Sequence, residues 1–330
     1  MKRNIPKSLK PLVRVIAGPD SLDNRNLHEA IEIASMEING EKCVYGVRTV
    51  GLKSRTNFDS LNTPGGYMGH DFEIIMYNFD VYGYGGNRDK LIQLPTVSLA
   101  KEIYRQTKVL CATEIMLPAI QLPCIAREFS DAPFMIWNPA VNQLGWSIRQ
   151  MAGFCKEYPW TLGIKNGKWL GTDVTIAETP EFIGKTSIES TWDGLVDWAK
   201  PANETILIQR GCDLPDKGNF RNIPIHFTAM RTKIRNPGIK LLFDPSHSLG
   251  PKMKDEIHPF TINAMKMLMP NGTPLYDGIL LEVGTSFCDT DQHITVKEFK
   301  KFMQELSEIR TFETTPTVFQ GTYDSSKEFK

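Results

Sequence analysis

The order of apolar runs constrains this chain most. Eight short β-rich runs, at residues 13–17, 43–50, 109–113, 134–137, 160–164, 205–208, 240–243 and 278–283, alternate with eight segments of helical period near 24–37, 96–106, 119–128, 144–156, 188–199, 223–233, 252–268 and 296–308. Strands that alternate with helices are joined by crossovers, and crossovers make a parallel sheet with the helices packed outside it. Eight such units match a (β/α)8 TIM barrel, whose usual length is about 250 residues plus insertions. A doubly wound α/β sheet is the alternative topology, but no G-x-G-x-x-G follows the first strand. The expectation is one domain over residues 1–330, with the barrel over about 12–310. Residues 311–330 lack helical period and are expected to form a tail against the body or a neighbouring subunit.

Two insertions, roughly 51–94 after the second strand and 166–187 after the fifth, are rich in Gly, Pro, Asn and Tyr. Both fall at the C-terminal ends of strands, where barrel enzymes keep their sites. Lids and oligomer contacts are equally good readings of them.

Charge narrows the partners. Lys plus Arg and Asp plus Glu are equal at 38 each, so no global basic field draws in nucleic acid or anionic lipid, and any anion site is local. The basic start carries no apolar run long enough for a signal peptide, and no uninterrupted stretch has membrane-spanning length. A cytoplasmic protein with no membrane or nucleic-acid partner is expected. The six cysteines form no C-x-x-C pair, so reduced thiols are expected rather than a zinc cage or a disulfide framework.

The residues that follow each strand are Asp20, then the stretch from Arg48 to Thr56, Thr113 and Glu114, Asn138, Lys165, Arg210, His247, and Glu282 with Asp289. A barrel brings all of these to one mouth. Asp20, His247, Glu282 and Asp289 offer an imidazole and three carboxylates, a hard donor set suited to Mn, Fe, Mg or, less well, Zn. Arg48, Lys53, Arg55, Lys165, Arg210 and Arg221 offer more cations than a single carboxylate or phosphate needs, as expected for a carboxylate-plus-phosphate ligand beside a second phosphate. Plainer roles stand beside these. His247 suits a hydrogen-bonded structural histidine, Asp244 a turn or helix cap, Lys53 a solvated lysine, and Asp289 and Asp291 ordinary loop acids. Glu282 is different, because a carboxylate closing a buried strand needs a partner.

Several short motifs occur in an order that resembles one family. They are VIAGPDS at the start, R-x-x-x-x-K-x-R-T in Arg48, Lys53, Arg55 and Thr56, I-K-N-G from Ile164, QRG from Gln209, DPSH from Asp244, and LEV from Leu281. Each follows a different strand, and the ordered set resembles the 3-deoxy-arabino-heptulosonate 7-phosphate (DAHP) synthases and the related 3-deoxy-manno-octulosonate 8-phosphate synthases. The resemblance implies a TIM barrel that joins phosphoenolpyruvate to a phosphorylated aldose and releases inorganic phosphate. It implies the first step of aromatic amino acid biosynthesis, a divalent metal cofactor and a homo-oligomer. By position, Arg48 and Lys53 look like holders of the phosphoenolpyruvate carboxylate, with Lys53 near enough to handle a proton. Lys165 and Arg210 look like holders of its phosphate, Arg55 and Thr56 of the aldose phosphate, and Arg221 with Asn222 resembles an R-N that meets a phosphate oxygen. His247, Asp20, Glu282 and Asp289 take the places of metal ligands, with His247, Asp20 and Lys53 in the catalytic roles.

The chain also departs from the family. Asp20 stands where metal-dependent members carry cysteine, which shifts the site towards hard cations. Ser54 replaces a proline, NPA (Asn138 to Ala140) stands in place of G-A-R, and Gly284 takes a position that is often histidine. Three readings remain open: a DAHP-synthase-like enzyme using erythrose 4-phosphate, an octulosonate-type enzyme using arabinose 5-phosphate or another sugar, and an inactive phosphosugar-binding protein.

Overall fold

A computed structural model describes residues 10–53, 67–77, 92–168, 186–287 and 291–315. Eight strands, β1 (Leu12–Gly18), β2 (Gly46–Arg48), β3 (Leu110–Glu114), β4 (Phe134–Trp137), β5 (Trp160–Lys165), β6 (Glu204–Gln209), β7 (Lys240–Phe243) and β8 (Gly278–Glu282), pair in parallel in chain order. β8 then pairs with β1, in the register Arg14 to Gly278 through Gly18 to Glu282, and closes the barrel. The helices that follow the strands are α1 (Leu27–Ala34), α2 (Pro95–Thr107), α3 (Pro118–Phe129), α4 (Gly145–Glu157), α5 (Ser187–Ala199), α6 (His226–Arg235), α7 (Ile257–Met265) and α8 (Val296–Ile309). This is the expected (β/α)8 barrel.

Local chemistry sets several boundaries. Thr186 with Glu189 and Thr295 with Glu298 form capping boxes that start α5 and α8. Pro95 and Pro118 open α2 and α3, where their missing N–H costs no hydrogen bond. The second strand is shorter than the apolar run at 43–50 predicts. Its flanks still bridge the neighbours through single hydrogen bonds, Tyr45 N–H to Val15 O at 2.8 Å and Thr49 N–H to Ala112 O at 2.8 Å. The helix expected over 252–268 begins later, because Gly250, at φ 73°, and Pro251 break the chain into a 3-10 turn before α7. Two short helices, Phe72–Tyr77 and Pro245–Leu249, are additional. Segments 54–66, 78–91 and 169–185 of the two insertions lie outside the described residues.

Strand periodicity fixes what the barrel holds. Ile16, Leu110, Ala112, Met135, Trp137, Ile206, Ile208, Leu242 and Leu280 point inward and form one buried cluster. Their alternate neighbours, such as Val15, Cys111, Ile136, Leu207, Leu241 and Leu281, pack outward against the helices. Continuing the inward series by two residues towards the C-terminal ends reaches Glu114, Arg210, Asp244 and Glu282. The five described cysteines are all buried and free. No helix among the described residues is long and apolar enough to cross a membrane.

The start of the tail packs on the body at the opposite end. Thr311–Phe312 pairs in parallel with Leu12 and Val13, and Glu313 accepts from Arg14 Nε at 2.8 Å and Lys240 Nζ at 2.9 Å. Residues 316–330 lie outside the described residues. Burial opposes ionisation of Glu313, but Arg14 and Lys240 prevail and hold its carboxyl below the ordinary 4.5. Glu313→Ala is therefore expected to destabilise the fold by about 1–3 kcal/mol in denaturant unfolding at pH 7, since it strips a carboxylate from two cations. The pH sign is set by the lowered value. The difference from the unaltered chain is full above 4.5 and shrinks as pH falls through the lowered folded value. A difference independent of pH contradicts this assignment.

Candidate active site

The C-terminal rim of the barrel gathers the charged residues of seven strand ends into one buried network. Arg48, at the end of β2, reaches past β1 to β8, where its Nη2 donates to Glu282 Oε1 at 3.1 Å. The same nitrogen is 3.6 Å from Asp20 Oδ1, and the Lys53 ammonium donates to that oxygen at close range. Burial works against an ionised Asp20, yet Lys53 and Arg48 hold its carboxyl well below the usual carboxylate range. Glu282 moves the other way. Burial and the Asp20 charge push it above the usual range despite Arg48.

The DPSH stretch forms the next part. Asp244 N-caps the helix Pro245–Leu249 by accepting from His247 N–H at 3.1 Å, and its Oδ1 also faces His247 Nδ1 at 3.0 Å. With Nδ1–H donating to Asp244, the other ring nitrogen, Nε2, is turned towards Glu282 Oε1 at 3.6 Å. Burial lowers the His247 pKa against the pull of Asp244 and favours the neutral ring. Ser246 Oγ accepts from the Glu282 main-chain N–H at 3.0 Å, so the same short helix orients His247 and holds the backbone of Glu282. Asp244 thus caps a helix, as its plainer reading has it, and orients the histidine as well.

Lys165, at the end of β5, lies 3.4 Å from both Glu114 and Asp244 and 5.6 Å above the Trp137 ring. Arg210, just past β6, is buried, and its Nη1 donates to Asn222 Oδ1 at 2.8 Å. Asn222 Nδ2 donates in turn to His247 O, so one amide ties the Arg210 end of the rim to the histidine helix. Burial, with the like charge of Arg221, lowers the Arg210 pKa to about 10. Arg221 donates to Gln292 Oε1, and Gln292 Nε2 donates to Glu282 Oε2 at 2.9 Å. Gly211 and Gly284 permit these turns. Both have positive φ, and a Cβ would meet Asn222 O at 2.6 Å in the first case and Glu29 Oε2 at 2.8 Å in the second.

The structure therefore brings together Asp20, Arg48, Lys53, Lys165, Arg210, Arg221, His247 and Glu282. Arg55, Thr56 and Asp289 lie outside the described residues. Asp291, the alternative to Asp289 as a ligand, is exposed and paired with Lys254. For a divalent ion, His247 Nε2 and Glu282 Oε1 lie 3.6 Å apart, and Arg48 lies 3.1 Å from Glu282 and 3.6 Å from Asp20. Among the described residues no three His, Cys, Asp or Glu side chains gather as a metal cage, and the fourth expected ligand, Asp289, lies outside them. Asn166, inside the I-K-N-G motif, accepts from Arg210 N–H at 2.8 Å, and Trp137, which lies in no motif, donates to Glu114 at 3.2 Å. Only the inward register of β4 points to Trp137.

Two solved structures share this fold. A crystal structure of phospho-2-dehydro-3-deoxyheptonate aldolase (DAHP synthase) from Thermotoga maritima matches with a TM-score of 0.59 at 16% identity, over 92% of this chain and 71% of that one. A truncated form of 3-deoxy-D-arabino-heptulosonate 7-phosphate synthase from the same organism matches with a TM-score of 0.57 at 16% identity, over 92% of this chain and 90% of that one. No protein-family model and no curated protein matches the sequence. The family that the motifs resemble is the one whose fold the structure shares.

Asn222 supplies the test of the network. Asn222→Ala leaves a buried guanidinium nitrogen and the His247 carbonyl without their partner, and is expected to cost about 1–3 kcal/mol in denaturant unfolding. A change under about 0.5 kcal/mol contradicts the bridge, that being the usual effect of a surface substitution.

Proposed function

We propose that this chain condenses phosphoenolpyruvate with a phosphorylated aldose, erythrose 4-phosphate being the best candidate, to give a 3-deoxy-2-ketoacid phosphate and inorganic phosphate. It is then a carbon–carbon bond-forming transferase of the DAHP synthase type. The supporting observation is the gathering of Arg48, Lys53, Lys165, Arg210 and Arg221 at one rim with His247 and Glu282. Two phosphorylated anions repel each other in water, and fixed cations offset that repulsion while they orient the reacting carbons.

In this reading Arg48 and Lys53 hold the carboxylate of phosphoenolpyruvate, and Lys165, Arg210 and Arg221 hold its phosphate. Arg55 and Thr56 hold the aldose phosphate. The enol carbon C3 attacks the aldehyde carbon, the aldehyde oxygen takes a proton, and water adds at C2. The resulting phosphate hemiketal releases inorganic phosphate and leaves the 2-keto group. Lys53, and Glu282 with its raised pKa, are the proton carriers nearest this chemistry, and His247 is held beside them by Asp244. The loop after β4 supports arabinose 5-phosphate as the second acceptor. Asn138 accepts from Lys165 N–H at 2.8 Å there, and Asn138 to Ala140 bring no cation to the rim.

Phosphate release from phosphoenolpyruvate, measured with each aldose in turn, tests the proposal. Release that requires an aldose is expected, and phosphoenolpyruvate binding without release under any aldose supports the inactive binding protein instead. His247→Ala is expected to lower turnover by about a hundredfold or more while phosphoenolpyruvate still binds. Unchanged turnover removes His247 from the mechanism. Arg55→Ala is expected to raise KM for the aldose about tenfold or more with little change for phosphoenolpyruvate, and equal weakening of both contradicts separate subsites.

A further inference from the structure

Lys168 stands one residue beyond the I-K-N-G motif, and no motif picks it out. Its main chain is fixed from two sides. The N–H donates to Ala140 O at 3.1 Å, in the loop after β4, and the carbonyl accepts from Asp213 N–H at 2.9 Å, in the loop after β6. These contacts place Lys168 between the loops after β4 and β6, the second of which follows Arg210. Burial, and then the charges of Arg210 and Arg221, lower the pKa of the Lys168 ammonium, so the three cations lie within each other's field. The carboxylate beside it, Asp213, is 3.9 Å away, and its Oδ1 is engaged by Lys217. Arg210 adds an independent sign of a ligand. It is 3% exposed, and its Nε is a buried donor with no hydrogen-bond partner among the described residues. A protein that crowds cations out of water and leaves a guanidinium donor unused is arranged for an anion that arrives from outside.

We propose that Lys168 is a third cation of the pocket formed by Arg210 and Arg221, and that it binds a phosphoryl group of the ligand with them. The inference rests on the reading that this site takes a phosphorylated substrate, and it adds a residue that the sequence motifs do not supply. The Lys168 side chain is 27% exposed and Arg221 is half-buried, whereas Arg210 is buried, so Lys168 meets the incoming anion at the solvent edge while Arg210 holds it from beneath. Asp213 competes with the anion for the ammonium.

Inorganic phosphate and phosphoenolpyruvate, titrated separately by calorimetry into the whole chain and into K168Q, K168R and D213N, test this. K168Q is expected to weaken both ligands by about tenfold, as loss of one charge-assisted contact does when partly screened by water, and K168R to restore most of that affinity. D213N is expected to tighten both, because it removes the competing carboxylate. Thermal unfolding of each variant separates binding from folding. If K168Q binds both ligands as the unaltered chain does, the role of Lys168 is overturned and the proposed function stands. A loss in K168Q that K168R does not rescue, with a lowered Tm, marks a structural lysine and also overturns it. If the unaltered chain binds neither ligand, both proposals fall.

Discussion

The ion pair between Arg48 and Glu282 is the contact on which the rest of the site depends. Arg48 belongs to β2 and Glu282 to β8, the two neighbours of β1, so the pair spans the strand at which the barrel closes. Both side chains are almost wholly buried, and burying two ions is costly enough that a well-packed apolar pair often serves stability as well or better. The contact persists because each side chain is shared. Glu282 takes Gln292 on its second oxygen, and Arg48 lies beside Asp20 and 5.9 Å from the Trp137 ring. Through Gln292 the network reaches Arg221, and through His247 it reaches Asp244 and Lys165. A change at the closing strand is therefore felt by the cations on the far side of the mouth.

The network is incomplete in a consistent way. Among the described residues Arg48 Nη1 and Arg210 Nε are buried donors without hydrogen-bond partners, and Asp244 Oδ2 and Gln209 Oε1 are buried acceptors without them. Each such donor costs about 1–3 kcal/mol when left unmade, which a fold tolerates where a ligand will satisfy it. The two donors lie on different sides of the mouth, one beside Asp20 and Glu282 and the other beside Asn222.

Much of this rim was legible because a strand has period two. The rule that puts Ile208 and Leu280 inside the barrel puts Arg210 and Glu282 at its top. Lys53 and Asp20 were legible only as parts of motifs, since their contact depends on how two loops fold back over β1. Asn222, Gln292 and Trp137 act by bridging elements that are far apart in the chain, and although an R-N pair marks Asn222 and strand register marks Trp137, neither shows the bridge. The helix Pro245–Leu249 escaped notice for another reason. Five residues are too few to display a helical period, and its start depends on the Asp244 cap. Residue types suited to a cation were legible at the strand ends, whereas the contact of Asp20 with Lys53 and Arg48 follows only from the folded loops.

That contact bears on how the site handles protons. Asp20 and Glu282 are buried carboxylates in contact with one pair of cations, and their environments drive them apart, Asp20 to the ionised side and Glu282 towards the protonated one. Two like charges so close are avoided when one carboxyl keeps its proton, and the carboxyl nearer Lys53 is the one that stays ionised. Burial is the largest cause of the raised Glu282 value, so a neutral side chain at position 20 would remove only the part that the Asp20 charge adds. The presence of an aspartate at this strand end therefore does more than alter the choice of cation. Its charge adds to the burial that raises Glu282, which Arg48 joins across β1.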